Sequence, residues 1–353
     1  MAVGNTADGA NLESLLAQTK AAQKAYAEFP QTQVDAIFKA AALAADKAAI
    51  TLAKAAVAET GMGNVEDKVI KNRYASEYIY TQYKDTPTVG VVSRDSKKGL
   101  AVIAEPLGVL AAVIPCTNPT STAVFQALLA LKTRNGIVFS PHPRAAKSTI
   151  AALEVVSQAA VAAGAPAGIV NWISAPSIEL SVALMKACDC TLATGGPGMV
   201  FSAYSAGKPA IGVGPGNVPV VIDASADIDA AASAIIHSKS FDNGVVCASE
   251  QNAIAVREIY ERFKAALAKH GAYFIPAADM DKVRAVLMRH SPKDPAVMSA
   301  NPLVVGQTPV AIGKLAGIEV PANARILVGE IPSFDYGDPF AHEKLAPVLS
   351  LIK

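Results

Sequence analysis

Apolar residues recur at helical spacing through the start of the chain and predict three helices. The first spans residues 11–29 and is stopped by Pro30. The second spans residues 31–59 and ends ahead of Gly61, and the third begins at Asn64. The amino-terminal part of the chain is therefore expected to be helical.

The pattern then changes to short apolar segments of strand length. Residues 88–104 alternate apolar and polar side chains around a polar turn, which predicts a β-hairpin. From Gly108 on, strands alternate with helices; the predicted strands are 109–114, 137–139, 169–173, 191–193 and 218–222, and the helices between and after them are 121–131, 145–163, 178–185, 199–206 and 228–237. This alternation predicts an α/β fold with a parallel sheet covered on both faces. Ligands of such sheets bind beyond the carboxyl ends of the strands, which points to the loops after Ile114, Phe139, Ala193 and Val213.

Composition narrows the class of protein. Of 353 residues, 52% are apolar and 17% are charged, and the net charge is +1. The average charged fraction is about 25%, so this low charge together with the high apolar content excludes a mostly disordered chain. It suggests either a large buried fraction or a surface covered in an assembly. Basic and acidic residues are interspersed, so neither nucleic acid nor an anionic membrane is expected as a partner. No apolar run reaches the roughly 18 to 20 residues of a membrane span.

The four cysteines are too few for a disulfide framework in a chain of this length. Cys188 and Cys190 lack the spacing of a zinc site, so no metal is expected, and both thiols are interpreted as reduced and buried. The amino terminus has neither a secretory nor a transit pattern. A cytoplasmic protein is therefore expected, or an organellar one if a leader has been removed.

Two glycine-rich loops follow predicted strands and are candidates for holding a phosphate. They are 194–199, with Gly195, Gly196, Pro197 and Gly198, and 212–217, with Gly214. Glycines let the backbone approach a phosphate, and a helix N-terminus supplies amide donors. Neither loop matches G-x-G-x-x-G, because Asn217 occupies the third glycine position. A tight turn explains each loop equally well, and the first, which opens a helix, is the better phosphate candidate.

Asn118 and Cys247 have side chains suited to catalysis. Asn118 follows the strand 109–114, where its carboxamide could donate to a developing oxyanion; a plain Asn-Pro turn is the alternative. The pair Asn243 and Gly244 predicts a tight turn, from which Cys247 emerges just ahead of a strand. A thiol in that place can act as a nucleophile, and the alternative is one more buried cysteine.

Several motifs follow one another in an order that resembles the aldehyde dehydrogenase superfamily over essentially the whole chain. They are Glu105-Pro-Leu-Gly-Val109, Asn118-Pro119, Gly164-Ala-Pro-Ala-Gly168, Phe241-x-Asn-Gly-x-x-Cys247 and Glu343-Lys-Leu-Ala-Pro347. A second set is similar to the CoA-acylating branch, in particular to the aldehyde dehydrogenase half of bifunctional aldehyde-alcohol dehydrogenases. It includes Lys68-Val-Ile-Lys-Asn72, Phe139-Ser-Pro-His-Pro-Arg144, Ala193-Thr-Gly-Gly-Pro-Gly-Met199 and Phe340-Ala-His-Glu-Lys344.

The resemblance implies roles for individual residues. Cys247 matches the family nucleophile, Asn118 the side-chain oxyanion donor, and Glu343 the carboxylate that orients the nicotinamide ribose. The loop of Gly195, Gly196, Pro197 and Gly198 matches the segment that holds the pyrophosphate of NAD, and Gly214 is assigned to the same cofactor. His142 and Arg144 stand where many relatives place a lysine, and they are assigned to the adenosine ribose or to the phosphates of coenzyme A. For Arg144, a solvated surface side chain is the alternative.

One departure from the family pattern bears on the reaction. Hydrolytic members carry a glutamate in the segment that matches residues 211–218, and this glutamate activates water. Here no acidic residue lies between Tyr204 and Asp223. The resemblance then implies that acetaldehyde, coenzyme A and NAD are interconverted with acetyl-CoA and NADH through a thioacyl enzyme, in fermentative ethanol formation. A hydrolytic enzyme that forms free acid and an inactive assembly module of a larger enzyme remain alternatives.

The resemblance also implies two domains. Residues 1–240 are expected to form a Rossmann-like NAD-binding domain, from which the hairpin 88–104 projects as an oligomerisation arm. A hairpin packed on its own domain is the alternative. Residues 241–353 are expected to form an α/β catalytic domain that continues beyond Lys353. A homo-oligomer or higher assembly is expected, with fusion to an iron-type alcohol dehydrogenase domain as a further possibility.

Overall fold

The computed structural model describes residues 7–291 and 297–353, which form two compact units. The first unit comprises the described residues up to Thr60 together with Lys68–Gly214. The second comprises Gly61–Asp67 and the described residues from Pro215 to Lys353.

The first unit is built around a five-stranded parallel sheet. Its strands, with the hairpin, are β1 (Gly90–Asp95), β2 (Leu100–Ala104), β3 (Val109–Val113), β4 (Gly136–Ser140), β5 (Val170–Trp172), β6 (Cys190–Thr194) and β7 (Ala210–Val213). The helices from the start of the chain to β7 are α1 (Ala7–Ala27), α2 (Gln31–Lys47), α3 (Ala49–Thr60), α4 (Val65–Arg73), α5 (Ile79–Tyr83), α6 (Pro119–Lys132), α7 (Ala146–Ala162), α8 (Ile178–Ala187) and α9 (Pro197–Tyr204). The strand order is β5-β4-β3-β6-β7, and every neighbouring pair is parallel. The predicted α/β fold is confirmed.

Strand β3 shows why this sheet is covered on both faces. All of its residues are buried. Leu110 and Ala112 belong to one apolar cluster, while Ala111 and Val113 belong to another. Because successive side chains of a strand point to opposite faces, each cluster covers one face of the sheet. An uninterrupted apolar strand is what such a position requires.

Two helical predictions need correction. The predicted helix 31–59 is two helices, α2 and α3, separated at Ala48. The third predicted helix contains a π-helical turn, Tyr74–Tyr78, between α4 and α5. Neither interruption carries a glycine or a proline, so the apolar spacing that predicted one continuous helix gave no signal of either.

The hairpin is formed as predicted. β1 and β2 pair antiparallel, from Gly90 opposite Ala104 to Asp95 opposite Leu100, and make a separate two-stranded sheet. The apolar side chains of Leu100, Val102 and Ile103 are each more than half exposed. Its role as an oligomerisation arm stays a prediction.

The second unit contains another five-stranded parallel sheet, in the order β10-β13-β14-β9-β8. The strands of this unit are β8 (Val218–Ile222), β9 (Glu250–Ala255), β10 (Ala272–Phe274), β11 (Met288–His290), β12 (Met298–Ala300), β13 (Ile326–Glu330) and β14 (Val348–Ile352). Its helices are α10 (Ile228–Ser240), α11 (Tyr260–Lys269), α12 (Met280–Leu287) and α13 (Pro309–Ala316). Strands β11 and β12 form a separate two-stranded antiparallel sheet.

The boundary between the compact units lies at Gly214, not at the predicted residue 240. The reason is the pairing of β8 with β9, which places β8 and the following helix α10 in the second unit. The sequence showed a strand and a helix there, but not which sheet the strand joins. Which unit holds the cofactor stays a prediction.

Two features are absent from residues 7–291 and 297–353, a membrane-spanning helix and a cluster of metal ligands. No helix there is long and apolar enough to cross a membrane. No group of three or more His, Cys, Asp and Glu side chains there is arranged to hold a metal ion.

Candidate active site

The predicted site residues of the first unit lie along one edge of its sheet. Asn118 follows β3, His142 follows β4, Gly195 follows β6, and Gly214 follows β7. These four strands are neighbours and parallel, so their carboxyl ends share an edge. The chain proceeds from β3 to β4 in one direction and continues through β6 to β7 in the other. The loops of Asn118 and Gly195 therefore flank the topological switch point, where ligands of open α/β sheets bind.

Asn118 occupies the N-cap position of α6 without using its side chain as a cap. Asparagine is a favoured N-cap because its side-chain oxygen can accept from the first turn. Here that oxygen, Oδ1, instead accepts a hydrogen bond of 2.8 Å from Nζ of Lys71. Nδ2 donates a long bond of 3.3 Å to Oγ1 of Thr117. The amide is thus turned away from its own helix.

The glycines of the loop Gly195–Gly198 are not explained by the backbone or by crowding. None of the three has a positive φ. A Cβ added at Gly196 or Gly198 would meet nothing within 4 Å, and one at Gly195 would lie 3.3 Å from Met199. Gly196 is the N-cap of α9, whose first turn receives no side-chain cap. The loop therefore presents open backbone at a helix N-terminus, which suits an anionic group better than a tight turn.

His142 and Arg144 lie together after β4. Nδ1 of His142 accepts a hydrogen bond of 3.1 Å from the backbone N–H of Arg144. Burial, and then the charge of Arg144, lower the pKa of His142. The imidazole is therefore neutral at physiological pH, while Arg144 is exposed. Of these two side chains, Arg144 is therefore the one that offers a full positive charge to a ligand phosphate.

Cys247 differs from the other three cysteines in exposure. It is exposed, whereas Cys188 and Cys190 are buried and Cys116 is half-buried. Burial raises the pKa of Cys116 and of Cys190, and it raises that of Cys188 to about 12. The thiolate is the reactive form of cysteine, so the three other thiols are poor nucleophiles, and exposure singles out Cys247.

The turn ahead of Cys247 is held in an unusual conformation. Asp242 and Asn243 have φ values of 49° and 51°, in the left-handed region. Gly244 also has a positive φ, and a Cβ there would lie 2.4 Å from the carbonyl carbon of Ala346. This confirms the tight turn predicted from Asn243 and Gly244. The close approach ties the turn to the segment that follows Glu343.

Buried polar contacts keep Asp242 in this conformation. Its backbone N–H donates to Oδ2 of Asp67 at 2.6 Å, and its Oδ1 accepts from the backbone N–H of Asn64 at 2.9 Å. Asn64 and Asp67 also bond to each other, through Nδ2 and Oδ2 at 2.7 Å. Left-handed backbone persists at a non-glycine residue only where its surroundings enforce it, and these contacts do so.

Gly216 links Cys247 to Glu343 within the second unit. A Cβ at Gly216 would lie 2.4 Å from the backbone oxygen of Cys247, so only glycine fits. The backbone N–H of Gly216 faces the carboxylate of Glu343 and acts to lower its pKa. Oε1 of Glu343 is buried and has no hydrogen-bond partner. Burial raises the pKa of Glu343, partly offset by that N–H and by Lys239 and Lys344.

Two lysines that act electrostatically on Glu343, Lys239 and Lys344, are fully buried, and the sequence analysis assigned a role to neither. Lys239 in α10 donates to Oε1 of Gln251 at 2.9 Å, and the backbone N–H of Lys344 donates to the same oxygen at 3.2 Å. Nζ of Lys344 reaches the carbonyls of Phe340 and His342 at 2.6 and 2.9 Å. Burial lowers the pKa of Lys239 to about 7, and it holds the pKa of Lys344 well below its usual range.

A signal for one of these lysines is present in the sequence. Lys239 continues the apolar face of α10 that carries Ile235 and Ile236, and a lysine on such a face is unusual. The site of the second unit also lies where the carboxyl-end rule does not point. Cys247 and Glu343 precede β9 and β14, which are parallel neighbours, so they lie toward the amino ends of their strands.

Proteins similar to this chain are found among aldehyde dehydrogenases. The model of the aldehyde dehydrogenase family matches residues 1–282. An aldehyde-alcohol dehydrogenase of Clostridium acetobutylicum is 55% identical over 340 residues, which cover 96% of this chain and 39% of that protein. The succinate-semialdehyde dehydrogenase (acetylating) of Clostridium kluyveri is 37% identical over 97% of this chain and 74% of its own length.

A solved structure gives the same picture. An acetylating aldehyde dehydrogenase from Geobacillus thermoglucosidasius has a TM-score of 0.93 at 45% identity, covering 98% of this chain and 75% of that one. The chain thus spans well under half the length of the aldehyde-alcohol dehydrogenase that it matches, and three quarters of the solved enzyme. On the family match and these identities, this chain belongs to the aldehyde dehydrogenase family.

Proposed function

We propose that this protein is a CoA-acylating aldehyde dehydrogenase that interconverts acetaldehyde, coenzyme A and NAD with acetyl-CoA and NADH. The observation that carries the proposal is the pairing of one exposed cysteine, Cys247, with a buried carboxylate oxygen of Glu343 that has no protein partner. The backbone oxygen of Cys247 lies against Gly216, whose N–H faces the carboxylate of Glu343. An unpaired buried oxygen is costly unless a ligand supplies the missing donor.

The chemistry assigned to the chain begins at Cys247. Its thiolate attacks the carbonyl carbon of the aldehyde, and the electron pair moves to the carbonyl oxygen. The side-chain amide nitrogen of Asn118, Nδ2, and the backbone N–H of Cys247 donate to the resulting oxyanion, in the roles that the family resemblance implies. Bound NAD supplies the acceptor for the hydride that this adduct loses, which leaves a thioester on Cys247. The thiolate of coenzyme A then attacks the thioester and releases Cys247.

The residues present fit NAD. A ribose hydroxyl would supply the donor that Oε1 of Glu343 lacks. The open backbone of Gly195, Gly196, Pro197 and Gly198 suits a pyrophosphate, with Gly214 beside it at the neighbouring strand. NAD rather than NADP is part of the proposal.

Coenzyme A rather than water is proposed as the acyl acceptor. No acidic residue lies between Tyr204 and Asp223, the segment in which hydrolytic relatives place their base. Water needs such a base, whereas a thiol is partly ionised near neutral pH and is intrinsically more nucleophilic. Arg144, exposed and charged, is assigned to a phosphate of coenzyme A or to the adenosine ribose, with His142 beside it.

Product analysis tests the proposal. The protein is supplied with acetaldehyde and NAD, with and without coenzyme A, and acetyl-CoA, acetate and NADH are measured. We expect acetyl-CoA and NADH to form in step when coenzyme A is present, and no more than a single turnover of NADH without it, because the thioacyl enzyme then accumulates. Steady acetate formation without coenzyme A would identify a hydrolytic enzyme instead. The variant Cys247→Ala should form neither product.

An inactive assembly module is the alternative outside enzymes. Titration with NADH, followed by its fluorescence, separates the two, because an inactive module has no reason to retain the cofactor site. Binding that weakens in Glu343→Ala supports the enzyme, and no binding supports the module.

The named relatives suggest a setting for the reaction. The Escherichia coli protein that is 52% identical over the whole of this chain is a bifunctional aldehyde-alcohol dehydrogenase. We infer that this chain works with an iron-type alcohol dehydrogenase domain, in the direction that reduces acetyl-CoA to acetaldehyde for ethanol formation. Homo-oligomers, or higher assemblies, and a cytoplasmic location belong to the same proposal.

A further inference from the structure

One face of helix α4 contacts the loop that carries Asn118. Lys68, Lys71 and Asn72 lie at positions i, i+3 and i+4, so they share a face of the helix. Nζ of Lys68 donates to the carbonyl of Thr117 at 3.3 Å. These contacts give the motif Lys68-Val-Ile-Lys-Asn72 a structural role.

Asn72 anchors this face on both sides. Its Oδ1 accepts from Oγ1 of Thr120 at 2.8 Å, and its Nδ2 donates to the carbonyl of Ala49 at 3.0 Å. Asn72 and Thr120 are both buried. Residues 117–120, which lead into α6, are therefore fixed against α4 by a neutral, buried bond that does not depend on Lys71.

Lys71 determines which way the amide of Asn118 faces. A carboxamide has an accepting and a donating end of nearly the same shape, so packing alone leaves both orientations open. An ammonium group has three donors and no acceptor. The 2.8 Å contact with Lys71 therefore requires the oxygen of Asn118 on that side, which directs Nδ2 the other way. The cap of α6 does not compete for this oxygen, since Asn118 makes no side-chain cap bond.

We propose that Lys71 is a positioning residue that holds the Asn118 carboxamide with its amino group toward the substrate, so that this group donates to the oxyanion. The inference rests on the proposed role of Asn118. Lys71 acts through Asn118 and need not touch the substrate. In its absence the amide divides between two orientations, one of which presents an oxygen to a developing negative charge.

The test compares kcat and KM for acetaldehyde in Lys71→Met, Lys71→Arg and Asn118→Ala. Losing an oxyanion donor costs about 100- to 1000-fold in kcat, and we expect Lys71→Met to lose roughly 10- to 100-fold with little change in KM. Lys71→Arg, which keeps a charged donor, should recover most of the rate. Arg73→Met is the matched control on the same helix, because its guanidinium lies beside Asp46 and not beside the loop 117–120.

A double variant separates positioning from a merely structural role. If Lys71 acts through Asn118, Lys71→Met adds almost nothing to kcat in an Asn118→Ala background. The alkylation rate of Cys247 by iodoacetamide, which needs no oxyanion donor, should be unchanged in every variant. The inference would be overturned if Lys71→Met lowered kcat by the same factor in the wild-type and the Asn118→Ala backgrounds. It would also be overturned if Lys71→Met kept the wild-type kcat. No acetyl-CoA from the wild type would overturn the proposed function, and the role of Lys71 with it.

Discussion

Gly216 is a residue at which one added carbon atom is expected to disturb the candidate site. Its α-carbon faces the backbone oxygen of Cys247, and its N–H faces the carboxylate of Glu343. One residue thus couples the proposed nucleophile to the proposed ribose ligand. Because the contact is between backbones, it cannot relax by the turning of a side chain.

Gly216→Ala should therefore displace Cys247 or Glu343. A Cβ at 2.4 Å from the Cys247 oxygen is far inside contact distance, so one of the two segments must move. We expect kcat for acetyl-CoA formation to fall at least tenfold, with weaker NADH binding. Gly337→Ala is the control, since a Cβ there would lie 3.4 Å from its nearest neighbour, Asp335. Wild-type kinetics in Gly216→Ala would contradict the close approach.

Lys239 shows how burial changes the charge of a residue. Its side chain is fully buried, and desolvation lowers its pKa to about 7 although Glu343 and Glu250 act in the opposite sense. In the unfolded chain a lysine titrates near 10.4. Between these two values the unfolded state binds a proton that the folded state does not.

The stability of the protein relative to Lys239→Met should consequently rise with pH. Since stability increases with pH wherever the unfolded state binds more protons, the gain runs from about pH 7 to about pH 10, with a slope of at most about 1.4 kcal/mol per pH unit. Below pH 7 both states carry the proton and the difference is constant. Urea unfolding at pH 6, 7, 8 and 9 measures this, with Lys314→Met as the control for losing an exposed lysine. Parallel pH profiles would mean that Lys239 stays charged when folded.

At the scale of elements, the hairpin β1–β2 exposes apolar side chains to solvent. Its apolar residues Leu100, Val102 and Ile103 are exposed, and its two strands pair only with each other among the described residues. An exposed edge of this kind invites pairing with another chain. This supports the prediction of an oligomerisation arm.

Replacing Val102 and Ile103 together by lysine should dissociate the oligomer. The side chains are more than half exposed, so the change costs the isolated unit little, whereas it puts two charges into the proposed interface. Light scattering after size exclusion should show a smaller mass with unchanged far-UV circular dichroism. Lys97→Glu, in the turn of the hairpin, is the control. An unchanged mass in the double variant would assign the hairpin another task.

At the scale of the whole molecule, the two sheets place their site residues at opposite ends of their strands. In the first unit, the loops after β3, β4, β6 and β7 carry the candidates, as the carboxyl-end rule predicts. In the second unit, Cys247 and Glu343 precede their strands. The turn predicted from Asn243 and Gly244 directed attention to Cys247, whereas only the family resemblance indicated Glu343.

The sequence by itself determined the α/β pattern, one local turn and the family. Apolar alternation predicted the parallel strands, and the pair Asn243 and Gly244 predicted the tight turn, because both depend on local geometry that a short stretch of chain specifies. Motif order was enough to indicate the family, and the missing acidic residue in 211–218 was enough to favour coenzyme A over water.

Tertiary structure decided the relations between distant segments. It assigned β8 to the second sheet, turned the amide of Asn118 toward Lys71, and brought Gly216 between Cys247 and Glu343. It also buried Lys239 against Gln251, more than ten residues away. The physical reason is common to all four: strand pairing, side-chain orientation and desolvation depend on what packs against a residue, and that partner is far away in the sequence.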